Sequence, residues 1–265
     1  MIKLILHLTL IIILTIITQI GGVVYLFSIL LIKNNKKLYR FKRLFAFIII
    51  YSISTFLIVP IVATYFGRIK INDNNVIESH NFLTILCNRN YVVPELNNTL
   101  IDVSKKFKKE FPSIKIIYLD ANFPFFDGFP LLPHLSHNDG KKIDLSFIYE
   151  NKNGSFTNLK TSRSGYGVFE NPKTTEKSQT KNCLKKGFWQ YDFTNYLTFG
   201  QINKNLLFSE KGTKKLIEII LKNKDVSKLF IEPHLKKRLN LLNSKIRFQG
   251  CKAVRHDDHI HFQIK

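Results

Sequence analysis

Five of the chain's eight histidines fall in two short segments that lie far apart in sequence. The first is Pro133-His134-Leu135-Ser136-His137-Asn138-Asp139-Gly140-Lys141-Lys142-Ile143-Asp144, and the second is Arg255-His256-Asp257-Asp258-His259-Ile260-His261. Imidazole nitrogen and carboxylate oxygen are donors suited to zinc, and a catalytic zinc takes three protein ligands while one position stays open for water. His137, Asp144 and one or both of His259 and His261 would supply that set. Histidines two apart on a strand point to one face, so both can look into a single site. Either spacing alone is a weak signal. Their conjunction, beside a glycine turn and at the starts of apolar runs, carries the metal reading.

Those segments need elements to bring them together. Asp144-Leu145-Ser146-Phe147-Ile148-Tyr149 alternates as a strand with the carboxylate at its entrance, and His259–Ile264 reads as the last strand. Phe82–Cys87, Ile114–Leu119, Lys228–Ile231 and Lys245–Phe248 read as further strands. After Pro94, Leu100, Val103 and Phe107 recur at helical spacing, predicting an amphipathic helix of about four turns. A second helix is expected over Ser209–Lys222 with Leu216, Ile217, Ile220 and Leu221 inward, and a short basic one after Glu232-Pro233-His234. The turn-rich loop Asp120–Pro130 places Phe123, Phe125, Phe126 and Phe129 ahead of the first histidine segment, most simply as buried aromatics. Ser164-Gly165-Tyr166-Gly167-Val168-Phe169 and the lone Trp189 stand out in an otherwise polar stretch over 150–205, the tryptophan as a core residue. The mixed order suggests an α+β domain around a mainly antiparallel sheet with flanking helices.

Before this domain lie two apolar runs, 4–32 and 44–66, each longer than the roughly 20 residues that cross a bilayer as a helix. Loop 33–43 between them carries Lys33, Lys36, Lys37, Arg40, Lys42 and Arg43, which places it on the cytoplasmic side. A hairpin of two transmembrane helices in residues 1–67 is therefore expected, with the N-terminus and everything after residue 68 outside. Residues 68–80 would be a linker and 81–265 the exported domain. A cleaved signal peptide fits poorly, because the first run is too long and has no small-residue cleavage site.

The net charge is +21, of which the portion after residue 68 carries +13. Such a surplus suits an acidic polymer or anionic surface, yet no basic-aromatic nucleic-acid motif accompanies it, so nucleic acid is not expected as a partner. Cys87, Cys183 and Cys251 form no Cys-x-x-Cys pattern. In an exported domain one pair could form a disulfide, with all three pairings open. A bridge to Cys251 would pin the loop leading into the second histidine segment.

Ser136-His137-Asn138-Asp139-Gly140, with Asp144 seven residues after His137 and His134 three before it, resembles the penicillin-insensitive murein endopeptidases. These belong to a group of zinc peptidases that includes D-Ala-D-Ala carboxypeptidases and lysostaphin-type enzymes. His256-x-x-His259-x-His261 on the last strand is similar to the same family, as is the strand, proline and helix around Leu229–Lys237. The resemblance spans about 110–265 and is patchy over 150–205. It implies Zn2+ held by His137, Asp144 and His261, with His134 a supporting neighbour. His259 would contact the attacking water or developing oxyanion, His256 would assist, and Asp258 is the runner-up base. It also implies cleavage of peptide cross-links in peptidoglycan; with the expected hairpin, which stands where the family usually has a secretory signal, the protein would be anchored in the bacterial cytoplasmic membrane and face the periplasm. A carboxypeptidase or dipeptidase acting on stem peptides, or a non-catalytic wall-binding domain, are the alternatives. The sequence departs from the family in the Phe-Asp-Gly-Phe-Pro-Leu-Leu-Pro lead-in and in Lys141-Lys142.

Overall fold

A computed structural model describes residues 1–33 and 37–265; the Asn34–Lys36 part of the basic loop lies outside the described residues. The chain divides into two compact units. One comprises Met1–Ile71, Leu83–Pro94 and Asn122–Gly140, and the other Asn72–Phe82, Glu95–Ala121 and Lys141–Lys265.

In the first unit, the apolar run 4–32 is not one helix. It forms Ile2–Thr18 and Gly21–Leu31, broken at Gln19, whose φ of 66° lies in the left-handed region. Thr18 fixes the break, since its hydroxyl donates to the Leu14 carbonyl and accepts from the Gly21 N–H at 2.8 Å each. Gly22 is needed for the return, because a Cβ there would stand 2.0 Å from Thr15 Oγ1. The two polar residues that interrupt the run have jobs in this turn. His7 Nδ1 meets the Tyr25 hydroxyl at 2.8 Å across the hairpin, and Gln19 Oε1 accepts the Phe125 N–H at 3.0 Å. The second run does form a long helix, Tyr39–Tyr65, whose 27 residues include an apolar stretch long enough to cross a membrane. It winds as a π-helix over Ser54–Ile58.

Of the expected pair of spans one is seen: among the described residues one helix has the length of a span, and the first run is made of two shorter apolar helices. Lys3, Tyr39, Arg40 and Arg43 line one cavity. The N-terminal end of the first helix therefore sits at the same end of this unit as the basic residues, rather than at the opposite end as expected. Arg43 also donates to the Ile32 and Ile29 carbonyls, meeting acceptors that the end of Gly21–Leu31 leaves open. Val59, Ala63 and Tyr91 form a small core with Ile20 and Phe125 packed on it.

The second unit is built on a six-stranded sheet. Its order is Ile246–Arg247, Val226–Phe230, His259–Ile264, Lys142–Ser146, Ile116–Tyr118, Ile77–Ser79. The outer pairs are parallel and the inner three antiparallel. The sheet is mixed, not mainly antiparallel, so the α+β class holds and its finer description is corrected. Helix Pro94–Glu110 contributes Leu96, Leu100, Val103 and Phe107 to the core. Helix Glu210–Lys222, capped by the Ser209 hydroxyl on the Gly212 N–H, contributes Leu216, Ile217 and Ile220. Fully burying one such side chain stabilises by roughly 1.5–3 kcal/mol.

Two local expectations fail for local reasons. The stretch expected as a linker enters strands Ile69–Lys70 and Ile77–Ser79. Its polar residues make the turn between them, with Asn74 Oδ1 accepting from Val76 and Ile77 and Asp73 Oδ1 from Ser79. Phe82–Leu86 is a single helical turn rather than a strand, closed by Asn88 at φ 57°.

Candidate metal centre

Asp144 stands in the middle of Lys142–Ser146, not at its entrance. Its backbone is clamped by Asp120 and Leu119, the N–H donating to the Asp120 carbonyl at 2.9 Å and the carbonyl accepting from Leu119 at 2.8 Å. On the neighbouring strand His261 lies directly across from Asp144, and His259 across from Ser146. The two-residue spacing puts both imidazoles on the side of the carboxylate, while Ile260 and Phe262 are buried on the other. His261 Nδ1 is 2.8 Å from Asp144 Oδ1, and His259 Nε2 is 3.7 Å from the same oxygen.

His134 and His137 belong to the loop after Phe129. The His137 N–H donates to the His134 carbonyl at 2.9 Å, a tight turn that leaves the two rings 5.7 Å apart. One ligand atom from each of His134, His137 and Asp144 lies within 4.8 Å of the others, and all three residues are buried. Two nitrogens and a carboxylate oxygen at such separations could hold a metal ion. Two imidazoles and a carboxylate are a donor set that divalent transition metals accept. His134, expected as a supporting neighbour, is a member of this buried triple; His261, expected as a ligand, meets Asp144 Oδ1 through Nδ1.

The other histidines are held by neighbours. Asp258 lies just ahead of the strand, 1% exposed, with Oδ1 2.5 Å from His259 Nδ1 and Oδ2 accepting the Gly167 N–H at 2.6 Å. Both of its oxygens are therefore occupied in orienting others. A carboxylate at Nδ1 holds the proton on that nitrogen and leaves Nε2 as the acceptor. Gly167 has φ 79°, and a Cβ there would stand 2.4 Å from the Thr194 carbonyl, so only glycine serves. The His256 ring centroid is 4.8 Å from that of His259 and 5.7 Å from that of His261.

Tyr166 and Asp120 were not singled out for this chemistry by the sequence. The Tyr166 hydroxyl reaches Asp144 Oδ2 at 2.9 Å and Asp120 Oδ2 at 3.3 Å, all three groups being buried. The only sequence signal was Gly165-Tyr166-Gly167, which carried no hint of its partners. A hydrogen bond of this kind fixes a ligating carboxylate, and its loss typically costs 10–100-fold in metal affinity. Tyr166→Phe is therefore expected to weaken zinc binding by that order in chelator competition while leaving the circular dichroism spectrum unchanged.

Ahead of the final strand a charge network sets the path of residues 255–258. Arg255 donates from Nε and Nη2 to both Asp257 oxygens, from Nη1 to Asp192, and stacks 3.7 Å over the Phe169 ring. Cys183 and Cys251 form a disulfide, so of the three pairings this is the one made, and Cys87 takes no part in it. Trp189, expected in the core, is 71% exposed against Phe193.

Glu232, 1% exposed, accepts from the Tyr191 hydroxyl at 2.6 Å and the His256 N–H at 3.1 Å. Burial, with Asp257 nearby, pushes its pKa up to about 7. The folded state thus binds a proton that the unfolded chain has released above its ordinary carboxylate pKa near 4.5. Stability from this group is full below that value and is lost as pH rises toward about 7, by up to about 3 kcal/mol. Denaturant midpoints measured from pH 5 to 8 should fall with rising pH, and the slope should shrink in Glu232→Gln.

No protein-family model and no curated protein sequence matches the chain.

Proposed function

We propose that the protein is a membrane-anchored zinc hydrolase that cuts amide bonds in peptidoglycan peptide cross-links, of the D,D-endopeptidase type. The observation that carries the metal chemistry is the buried His134, His137 and Asp144 triple, with His259 and His261 against the same carboxylate. The choice of substrate rests on the resemblance of the two histidine segments to murein endopeptidases. Zinc would be held by His137 and Asp144 with His134 or His261 as third ligand. When bound, it supplies a Lewis acid that polarises the scissile carbonyl and makes water easier to deprotonate.

His259, its Nδ1 proton held by Asp258, takes the proton of the attacking water on Nε2 and returns it to the leaving amine. His256, with its ring beside that of His259, supports the imidazolium formed between those events. Asp258 serves as the group that orients His259 rather than as the base. Asp258→Asn should therefore lower kcat by about 10²–10⁴-fold, as loss of an orienting carboxylate does, with little change in KM.

The long helix Tyr39–Tyr65 and the basic residues around it support a reading in which the loop is cytoplasmic and the residues after 68 are outside. The N-terminus, at the same end as that loop, lies inside. A disulfide between Cys183 and Cys251 agrees with an oxidising compartment. The test is incubation of the full-length protein in detergent with purified sacculi, followed by mass analysis of the soluble muropeptides. Cross-linked dimers should become monomers, and a chelator should stop the reaction. Loss of terminal D-alanine with dimers intact would assign a carboxypeptidase instead, and no change in either would leave a binding domain.

A further inference from the structure

The first unit contains a cavity of about 660 Å³ that neither the metal centre nor the span accounts for. That is within the roughly 300–1,000 Å³ of small-molecule sites. Its wall is apolar and comes from the returning helix (Val23, Phe27), from the π-helical part of the long helix (Ile58), from Val62 and from Phe125. Turns of π-helix inside α-helices are often found where function needs a local widening.

Two polar residues, Ser54 and Gln19, interrupt this wall, and Gln19 is the buried one. Gln19 lines the cavity and is 7% exposed. Its Oε1 is used by the Phe125 N–H, whereas its Nε2 is buried with no hydrogen-bond partner among the described residues. A buried amide donor without an acceptor is costly, so the site calls for an oxygen at that point. Among the described residues no lysine or arginine lines the cavity, which disfavours a phosphate there and favours an uncharged carbonyl.

We propose that this groove binds one acyl chain of a glycerolipid, with the ester carbonyl accepting from Gln19 Nε2. The occupant braces the loop that leads to His134 and His137, because Phe125 is tied to Gln19 and its ring lies 5.1 Å from that of Phe66. The inference rests on the bilayer placement of this unit and not on the hydrolase chemistry.

The test uses the full-length protein in vesicles of phosphatidylethanolamine and phosphatidylglycerol containing a phosphatidylethanolamine with a diazirine on one acyl chain. Photolabel should concentrate on peptides containing Val23–Phe27 and Ile58–Phe66. Val62→Trp should cut that labelling at least 5-fold, and Gln19→Leu should cut it by a similar factor, with an unchanged circular dichroism spectrum and thermal midpoint as the sign that both variants fold. Label spread evenly over the outward faces of all helices, or unaltered by either variant, would overturn the proposal. Displacement of the label by a polyprenyl phosphate, but not by unlabelled diacyl lipid, would overturn the ester assignment. A protein that labels in the groove yet hydrolyses nothing leaves the inference standing and removes only the peptidase reading.

Discussion

Asp144→Ala is expected to abolish stoichiometric zinc and to lower hydrolysis by at least about 10³-fold, since a metal's contribution to the transition state is several kcal/mol and each 1.36 kcal/mol is tenfold. The effect should exceed that of any single histidine. Asp144 belongs to the buried triple, receives His261 Nδ1 on one oxygen and receives the Tyr166 hydroxyl on the other. Removing it takes a donor from the ion and leaves two buried polar partners without their acceptor. Elemental analysis of the purified variant beside wild type is the measurement. Full zinc occupancy in Asp144→Ala would refute the centre altogether. The same assay on His134→Ala and His261→Ala assigns the third ligand, because only the true ligand's loss should empty the site as His137→Ala does.

Opening the disulfide should have the largest effect on stability. Cys183 and Cys251 are 68 residues apart in sequence, and a cross-link closing a loop of that size stabilises by about 4 kcal/mol in the chain-entropy description. In a protein of this length that corresponds to a loss of about 10 °C in Tm. The closed loop contains Tyr191, Asp192, Glu232 and the helix Glu210–Lys222, and Cys251 lies four residues before Arg255. Thermal unfolding of Cys183→Ser/Cys251→Ser against wild type checks it, with the wild type under reductant as the second measurement. An unchanged midpoint in both would mean that the Arg255 network alone positions the histidine strand.

The sequence and the structure agree where a pattern is long enough to repeat. The strand His259–Ile264 and the helices Pro94–Glu110 and Glu210–Lys222 have that length, and the apolar spacing identifies them. The parallel edges of the sheet were legible only in part. Ile246–Arg247 falls inside the expected strand Lys245–Phe248, whereas Ile77–Ser79, three residues long, is too short to show alternation and fell in the expected linker; neither pairing could be read, because each finds its partner only after the chain has crossed by way of a helix. The broken first helix was hidden for a different reason. A run of apolar residues reports solubility in lipid and is silent about the direction of the chain, and the turn depends on Thr18, Gln19 and Gly22 acting together. In the candidate site the histidines and Asp144 could be read from residue type and spacing. Tyr166 could not, because its partners lie 22 and 46 residues away and a tyrosine between glycines is chemically mute until they are known.

The pairing of His261 with Asp144 across two strands makes the centre a caliper of sheet alignment. Inserting or deleting one residue within either strand would put the imidazoles and the Asp144 carboxylate on opposite sides of the sheet. A change of two residues would restore the facing but shift the row by about 6.8 Å, out of reach of any bond to a shared ion. Parity and distance must both be right, so a lineage that lengthens its loops freely would still be forbidden any change of length in these eleven positions.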